Sequence, residues 1–240
     1  GLVVLALVVR GGVLAAWPAP FADDPDGYRY LAKGLVADGV FGYDRVPTAY
    51  RPPLYPLMLT PCVALGSYGN AGVAGLHLLM GVATVWLVYR LGRSLGLGNY
   101  ALVAGALVAC DPILLFQSTQ VMTETAAALL AVLALIALAR AQERPSGFQA
   151  SVAGGCVGLA VLCRATFLPW AALVALVLPI FAKAWKDRAR VLACFAVGAA
   201  VVLGPWVARN QVHFGRPIMA TTHGGFTVLL GNNPSFYEYL

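Results

Sequence analysis

Apolar stretches long enough to cross a lipid bilayer dominate this sequence, and they restrict the chain to a fold that has lipid for much of its solvent. A span needs about 20 apolar residues to cross roughly 30 Å of hydrocarbon. Seven stretches qualify: Leu2–Trp17, Gly72–Tyr89, Tyr100–Phe116, Thr123–Ala139, Phe148–Leu162, Leu168–Ala184 and Val191–Ala208. The fifth is short and rich in Gly. The expected fold is all-α, a polytopic bundle of about seven transmembrane helices.

Charge supports this reading and orients it. Only 11% of the 240 residues are charged and 60% are hydrophobic, whereas a soluble domain carries about 25% charged residues. With the N-terminus cytoplasmic, Arg90, Arg93, Arg140, Arg144, Lys183, Lys186, Arg188 and Arg190 lie inside, against Glu143 and Asp187. The outer side holds Arg29, Lys33, Arg45, Arg51, Arg164, Arg209 and Arg216, matched by Asp23, Asp24, Asp26, Asp38, Asp44, Glu124 and Glu238. Short basic loops inside and a neutral outer face follow the positive-inside bias. The net charge of +6 is therefore assigned to the membrane and no nucleic-acid partner is expected. Arg10 is the one charge placed mid-span.

The five cysteines, Cys62, Cys110, Cys156, Cys163 and Cys194, lie mostly inside apolar stretches and form no CxxC pair. They read as small buried residues rather than disulfides or metal ligands. The chain opens on Gly1 and closes on Leu240 without a polar tail, so a fragment lacking C-terminal spans and an outer domain is expected. The first stretch lacks the features of a signal peptide. Residues 1–209 are read as the transmembrane module and residues 210–240 as the start of a second outer loop, with turns at Gly224-Gly225 and Gly231.

The outer segment Pro18–Gly69 is long, mixed in charge and rich in Tyr and Pro. Loops of this length are usually functional or disordered. Apolar positions recur at helical spacing in Tyr28–Val36 and Leu54–Leu65, which predicts two helices lying on the membrane surface.

Four constellations carry candidate chemistry. Asp23-Asp24-Pro25-Asp26-Gly27-Tyr28 follows the first span. Asp24 there reads either as the cap of the following helix or as a general base or metal ligand. In Tyr50-Arg51-Pro52-Pro53 the prolines hold Arg51 extended. Its planar fork suits a phosphate, and snorkelling to lipid headgroups fits the spacing equally well. Asp111 closes the third stretch, Glu124 opens the fourth and Arg164 ends the fifth. Ionisable groups at such positions are functional candidates, with helix-end stabilisation or a structural ion pair as the plain readings. Finally, Pro205-Trp206 with Arg209-Asn210 suits the membrane edge, and His223 lies in a Gly-bounded loop. A lone His is more often structural than catalytic. HExxH, P-loop and GxSxG motifs are missing.

Taken in order, Asp24…Tyr28…Ala32, Arg51-Pro52-Pro53-Leu54-Tyr55-Pro56, Met122-Thr123-Glu124-Thr125, Arg164-Ala165-Thr166, Pro205-Trp206…Arg209-Asn210 and Gly231-Asn232-Asn233-Pro234 resemble the GT-C glycosyltransferases. The resemblance is to the branch of protein O-mannosyltransferases and the aminoarabinose transferase acting on lipid A, and it covers nearly the whole chain. It implies inverting transfer of a sugar from a polyprenyl-phosphate donor to an acceptor hydroxyl of a protein, lipid or glycan, outside the cytoplasm. By resemblance Asp24 is the base and Arg51 holds the donor phosphate. Asp26, Tyr28, Glu124, Arg164, Arg209 and His223 complete the expected substrate site. Pro25 stands where relatives often carry a second acid. No cofactor is assigned; a divalent cation stays open, with Asp24 and Glu124 as its candidate ligands. The rival functions are a transporter or flippase, which would show broken helices and mid-membrane charges, and a non-catalytic membrane subunit.

Overall fold

The computed structural model describes residues 1–182 and 184–238, so Lys183, counted above among the inner basic residues, lies outside the described residues. Each of the seven apolar stretches folds as helix. They are α1 (Leu2–Ala16), α4 (Gly69–Ser94), α5 (Tyr100–Cys110) with α6 (Pro112–Ser118), α7 (Glu124–Glu143), α8 (Gly147–Cys163), α9 (Phe167–Val177) and α10 (Trp185–Phe214). The two surface helices also form, as α2 (Tyr28–Asp38) and α3 (Leu54–Ala64). Two short helices, α11 (His223–Gly231) and α12 (Pro234–Glu238), follow.

By length and composition, three helices can cross a membrane, or four if the bent pair α5–α6 counts as one span. The other apolar helices, α1, α3, α8 and α9 with its 3-10 extension to Phe181, are shorter than 18 residues. The 15 residues of α1 and 17 of α8 rise about 22 and 26 Å at 1.5 Å each. The third stretch bends by 47° at Asp111-Pro112. Pro112 brings no N–H, and Asp111, at φ −62° and ψ 119°, leaves the helix and caps α6 by accepting the Leu114 N–H at 2.8 Å. Asp111 is thus a capping residue here.

One prediction fails locally. The expected turn at Gly224-Gly225 is the first turn of α11, because glycine costs a helix least at its end and an apolar run, Val228–Leu230, follows. Gly231 does end that helix, with Asn232 at its C-cap.

Small residues let the bundle close. A side chain on Gly154 of α8 would stand 2.0 Å from the Phe195 carbonyl oxygen of α10, and one on Gly198 would stand 1.9 Å from the Ser151 oxygen. Backbone therefore touches backbone, the close approach that small-xxx-small patterns such as Gly154…Gly158 permit. Ser151 Oγ adds a bond to the Cys194 oxygen at 3.0 Å. The Gly content of the fifth stretch is thus a packing feature. Gly81 of α4 likewise leaves room for Arg10, which is buried and donates to the Val108 oxygen at 2.7 Å.

The outer segment folds around a two-residue hairpin. β1 (Gly42–Tyr43) pairs antiparallel with β2 (Val46–Pro47), and Asp44 and Arg45 turn with φ of 50° and 66°. Two left-handed residues match the type I′ geometry that suits strand twist. Side chains hold the turn: Tyr30 donates to Asp44, and Arg45 pairs with Asp38 at 2.9 Å. From the end of α10, Arg209 donates to the Phe41 oxygen at 2.8 Å and the Thr48 oxygen at 2.7 Å. Its guanidinium lies against the rings of Phe41, Trp206 and Phe214. The chain after α10 returns to the same place, where the Thr222 N–H donates to the Ala49 oxygen at 2.9 Å.

Two outcomes follow. Gly198→Leu drives a side chain into the α8 backbone and costs about 3 kcal/mol or more. In a chain of this size that lowers the Tm of the detergent-solubilised protein by roughly 10 °C; Gly204→Ala, which meets open space on the same helix, leaves Tm unchanged or higher. Arg209→Ala frees the hairpin, and trypsin cleavage after Arg45 accelerates about tenfold, the worth of one charge-assisted bond.

Candidate active site

Asp24 follows α1 and a 3-10 turn, Ala19–Ala22. Its two oxygens differ. Oδ2 accepts the Tyr30 N–H at 2.9 Å, capping α2, and the left-handed Gly27 (φ 73°) makes the turn that brings this N–H round. Oδ1 is buried and has no hydrogen-bond partner among the described residues. The capping reading and the functional reading thus apply to different atoms of one carboxylate. Asp24 lines a cavity of about 400 Å³ together with Gly27, Arg29, Lys33 and Tyr43.

Arg51 is held on three sides. Its Nη2 donates to Asp26 Oδ1 at 2.7 Å and its Nε to the Asp26 oxygen at 3.2 Å. Its guanidinium carbon lies 5.4 Å from the Tyr28 ring centre and 5.2 Å from that of Tyr50. Pro52 and Pro53 lead directly into α3 at Leu54, so the arginine has a fixed backbone. A guanidinium stacked on aromatics and paired to one carboxylate keeps its charge and loses rotamer freedom.

Tyr28 joins this group to a second pair. Its side chain is buried and packs edge-on to Tyr55 with centroids 5.3 Å apart. Burial pushes the phenol up to about 12, with Arg51 and Arg164 opposing the rise. A phenol with a raised pKa stays protonated through the physiological range and remains a donor. At the first turn of α7, Glu124 forms an ion pair with Arg164, which terminates α8. Glu124 Oε2 is also buried without a hydrogen-bond partner among the described residues.

His223 approaches from the far end of the chain and packs edge-on against Tyr50, centroids 4.5 Å apart. Burial, then the Arg51 charge, lowers its pKa, with Asp26 opposing. Its imidazole is therefore neutral at neutral pH. Tyr43 completes the cluster: Arg51, Asp24, Tyr50 and Asp26 all act electrostatically on its phenol.

The structure thus gathers Asp24, Asp26, Tyr28, Arg51 and His223 around Tyr43 and Tyr50, with Glu124 and Arg164 adjoining through Tyr28. Arg209 stands apart, committed to the carbonyls of Phe41 and Thr48. Among the described residues, no three His, Cys, Asp or Glu side chains form a group able to hold a metal, so Asp24 and Glu124 do not share such a cluster. Tyr43 and Tyr50 were missed as site residues, although a Tyr-rich outer loop was their signal. His77 was missed altogether. It is fully buried on α4 and bonds the Tyr55 hydroxyl and the Ser118 oxygen, each at 2.8 Å.

Known proteins can now be set beside this geometry. The sequence profile of the dolichyl-phosphate-mannose-protein mannosyltransferases matches residues 50–207. The match takes in Arg51, Glu124 and Arg164 and stops short of Asp24, Asp26, Tyr28, Arg209 and His223. No curated protein and no solved structure matches the chain. With 158 of 240 residues covered by that profile, the chain belongs to the dolichyl-phosphate-mannose-protein mannosyltransferase family.

Proposed function

We propose that Asp24 is the general base of a sugar transfer from a polyprenyl-phosphate donor to an acceptor hydroxyl on the extracytoplasmic face, with inversion. Family membership gives the coarser statement, a membrane glycosyltransferase using a lipid-linked sugar. The finer reading is carried by one observation: Asp24 presents a buried, unpartnered carboxylate oxygen beside the Arg51 cluster. Leaving such an oxygen unpaired costs stability, about 1–3 kcal/mol or more for a charged group, and an incoming hydroxyl would supply its missing donor.

In this reading the acceptor hydroxyl gives its proton to Asp24 Oδ1 while its oxygen attacks the anomeric carbon. The bond from that carbon to the phosphate oxygen breaks, and the polyprenyl phosphate leaves with the extra negative charge. Arg51 meets that charge with a guanidinium already fixed by Asp26, Tyr28 and Tyr50, so little reorganisation is needed. Arg164, held by Glu124, is a second cation within the electrostatic reach of Tyr28. The neutral Tyr28 phenol and neutral His223 imidazole add polar groups without adding charge. Arg209 acts by positioning, since it anchors the hairpin that carries Tyr43.

The features that would favour a transporter have local causes. Asp111 and Pro112 account for the α5–α6 bend, and the space beside Arg10 is only about 10 Å³, room for a single water and not for a cargo.

The test is mass spectrometry of glycans and glycolipids from cells lacking the protein, complemented with wild type or variants. An amide caps α2 as well as a carboxylate does and removes the buried unpaired charge, so Asp24→Asn keeps or raises the wild-type Tm. Its transfer rate falls by about 10²–10⁴, the usual worth of a general base; unchanged transfer would remove Asp24 from the mechanism. Arg51→Lys keeps the charge but loses the fork, and raises the donor KM about tenfold with the acceptor KM unmoved, as expected for one charge-assisted bond.

A further inference from the structure

A second polar cavity lies at the other end of the bundle and takes no part in the chemistry above. It holds about 620 Å³ between the C-terminal turns of α4 and α7. Arg90 and Arg93 enter it from α4 and Arg140 from α7, with Glu143 as its one acidic group. Among the described residues none of these three arginines is ion-paired with a carboxylate. Arg90 lies over the Trp86 ring at 5.9 Å, which holds one guanidinium at the mouth. Leucine and isoleucine side chains of both helices line the rest.

Position adds the second argument. Helix α7 begins at Glu124, in the candidate active site, and reaches this cavity at Arg140. The 16 residues between them rise about 24 Å, close to the thickness of a bilayer's hydrocarbon core. The cavity therefore sits where one leaflet meets water, while the candidate active site sits at the opposite surface. A cleft between membrane helices that is basic at its mouth and apolar along its walls has the charge and shape of an acidic phospholipid. The headgroup phosphate would meet the guanidiniums and an acyl chain the apolar walls.

We infer that this α4–α7 cleft binds an anionic phospholipid headgroup through Arg90, Arg93 and Arg140. The site is independent of the transfer reaction and survives if the assignment of Asp24 fails.

Trp86 provides the readout. The full chain is reconstituted in phosphatidylcholine vesicles containing phosphatidylglycerol, with one lipid or the other brominated on its acyl chains. Quenching lost in Trp86→Phe is assigned to the cleft. Each guanidinium near a membrane surface favours an acidic lipid about fivefold, so the cleft enriches phosphatidylglycerol over phosphatidylcholine on the order of tenfold or more. The triple variant R90Q/R93Q/R140Q abolishes that preference, and the triple lysine variant retains it. Should the glutamine variant fail to insert, Glu143→Gln is the opposite test and raises the preference several-fold. Equal quenching of the wild type by both brominated lipids overturns the proposal. So does loss of the preference in millimolar inorganic phosphate, which would make the ligand a free anion.

Discussion

Lipid offers no hydrogen bonds, and that constraint governs where this chain puts its polar groups. Arg10 donates to the Val108 carbonyl, His77 bonds Tyr55 and Ser118, Asn210 donates to the Ile218 oxygen and Arg209 donates to two carbonyls of the outer loop. Against that background the buried polar atoms left unpaired among the described residues stand out. Arg10 Nε and Thr125 Oγ1 share a space the size of one water, which accounts for them. Gln117 Oε1, Asp24 Oδ1 and Glu124 Oε2 have no such account within the bundle, and the two carboxylates adjoin the same tyrosine-lined cluster of arginines.

The cluster is assembled from parts far apart in sequence, and aromatic rings do most of the joining. Tyr28 carries Arg51 on its face and lies within the electrostatic reach of Arg164, so it stands between the Asp26–Arg51 pair and the Glu124–Arg164 pair. Tyr50 does the same between Arg51 and His223. Two ion pairs that would each contribute little when exposed are thereby half-buried and oriented. Phosphate chemistry favours this state, because cations fixed in place lose little entropy on meeting an anion.

Much of this was legible in the residues. Hydropathy located every long helix, and helical spacing located α2 and α3 to within two residues at each end. The pairing of Glu124 with Arg164 was one of the two readings their positions allowed. Other features depend on contacts that no local pattern encodes. The Asp44-Arg45 turn uses left-handed residues other than Gly or Asn, stabilised by Tyr30 and Asp38 from α2. The break at Asp111-Pro112 was hidden by an unbroken apolar run, although proline carried the warning. The bonds of Arg209 to the outer loop were not legible because its carbonyl partners lie 161 and 168 residues away. Three helices, or four with the bent pair, have both the length and the composition of a span, and hydropathy does not measure where a helix ends.

The contact of α8 with α10 through Gly154 and Gly198 has a mechanical meaning. Helices separated by side chains can slide, since rotamers act as bearings, but backbones in direct contact interlock like gear teeth. α8 and α10 must then travel as one block. Arg164 terminates the first and Arg209 stands near the end of the second, so the block carries one guanidinium of the candidate site and the anchor of its hairpin together. Any rearrangement of the Pro18–Gly69 segment then has this pair of helices as the stator against which it moves.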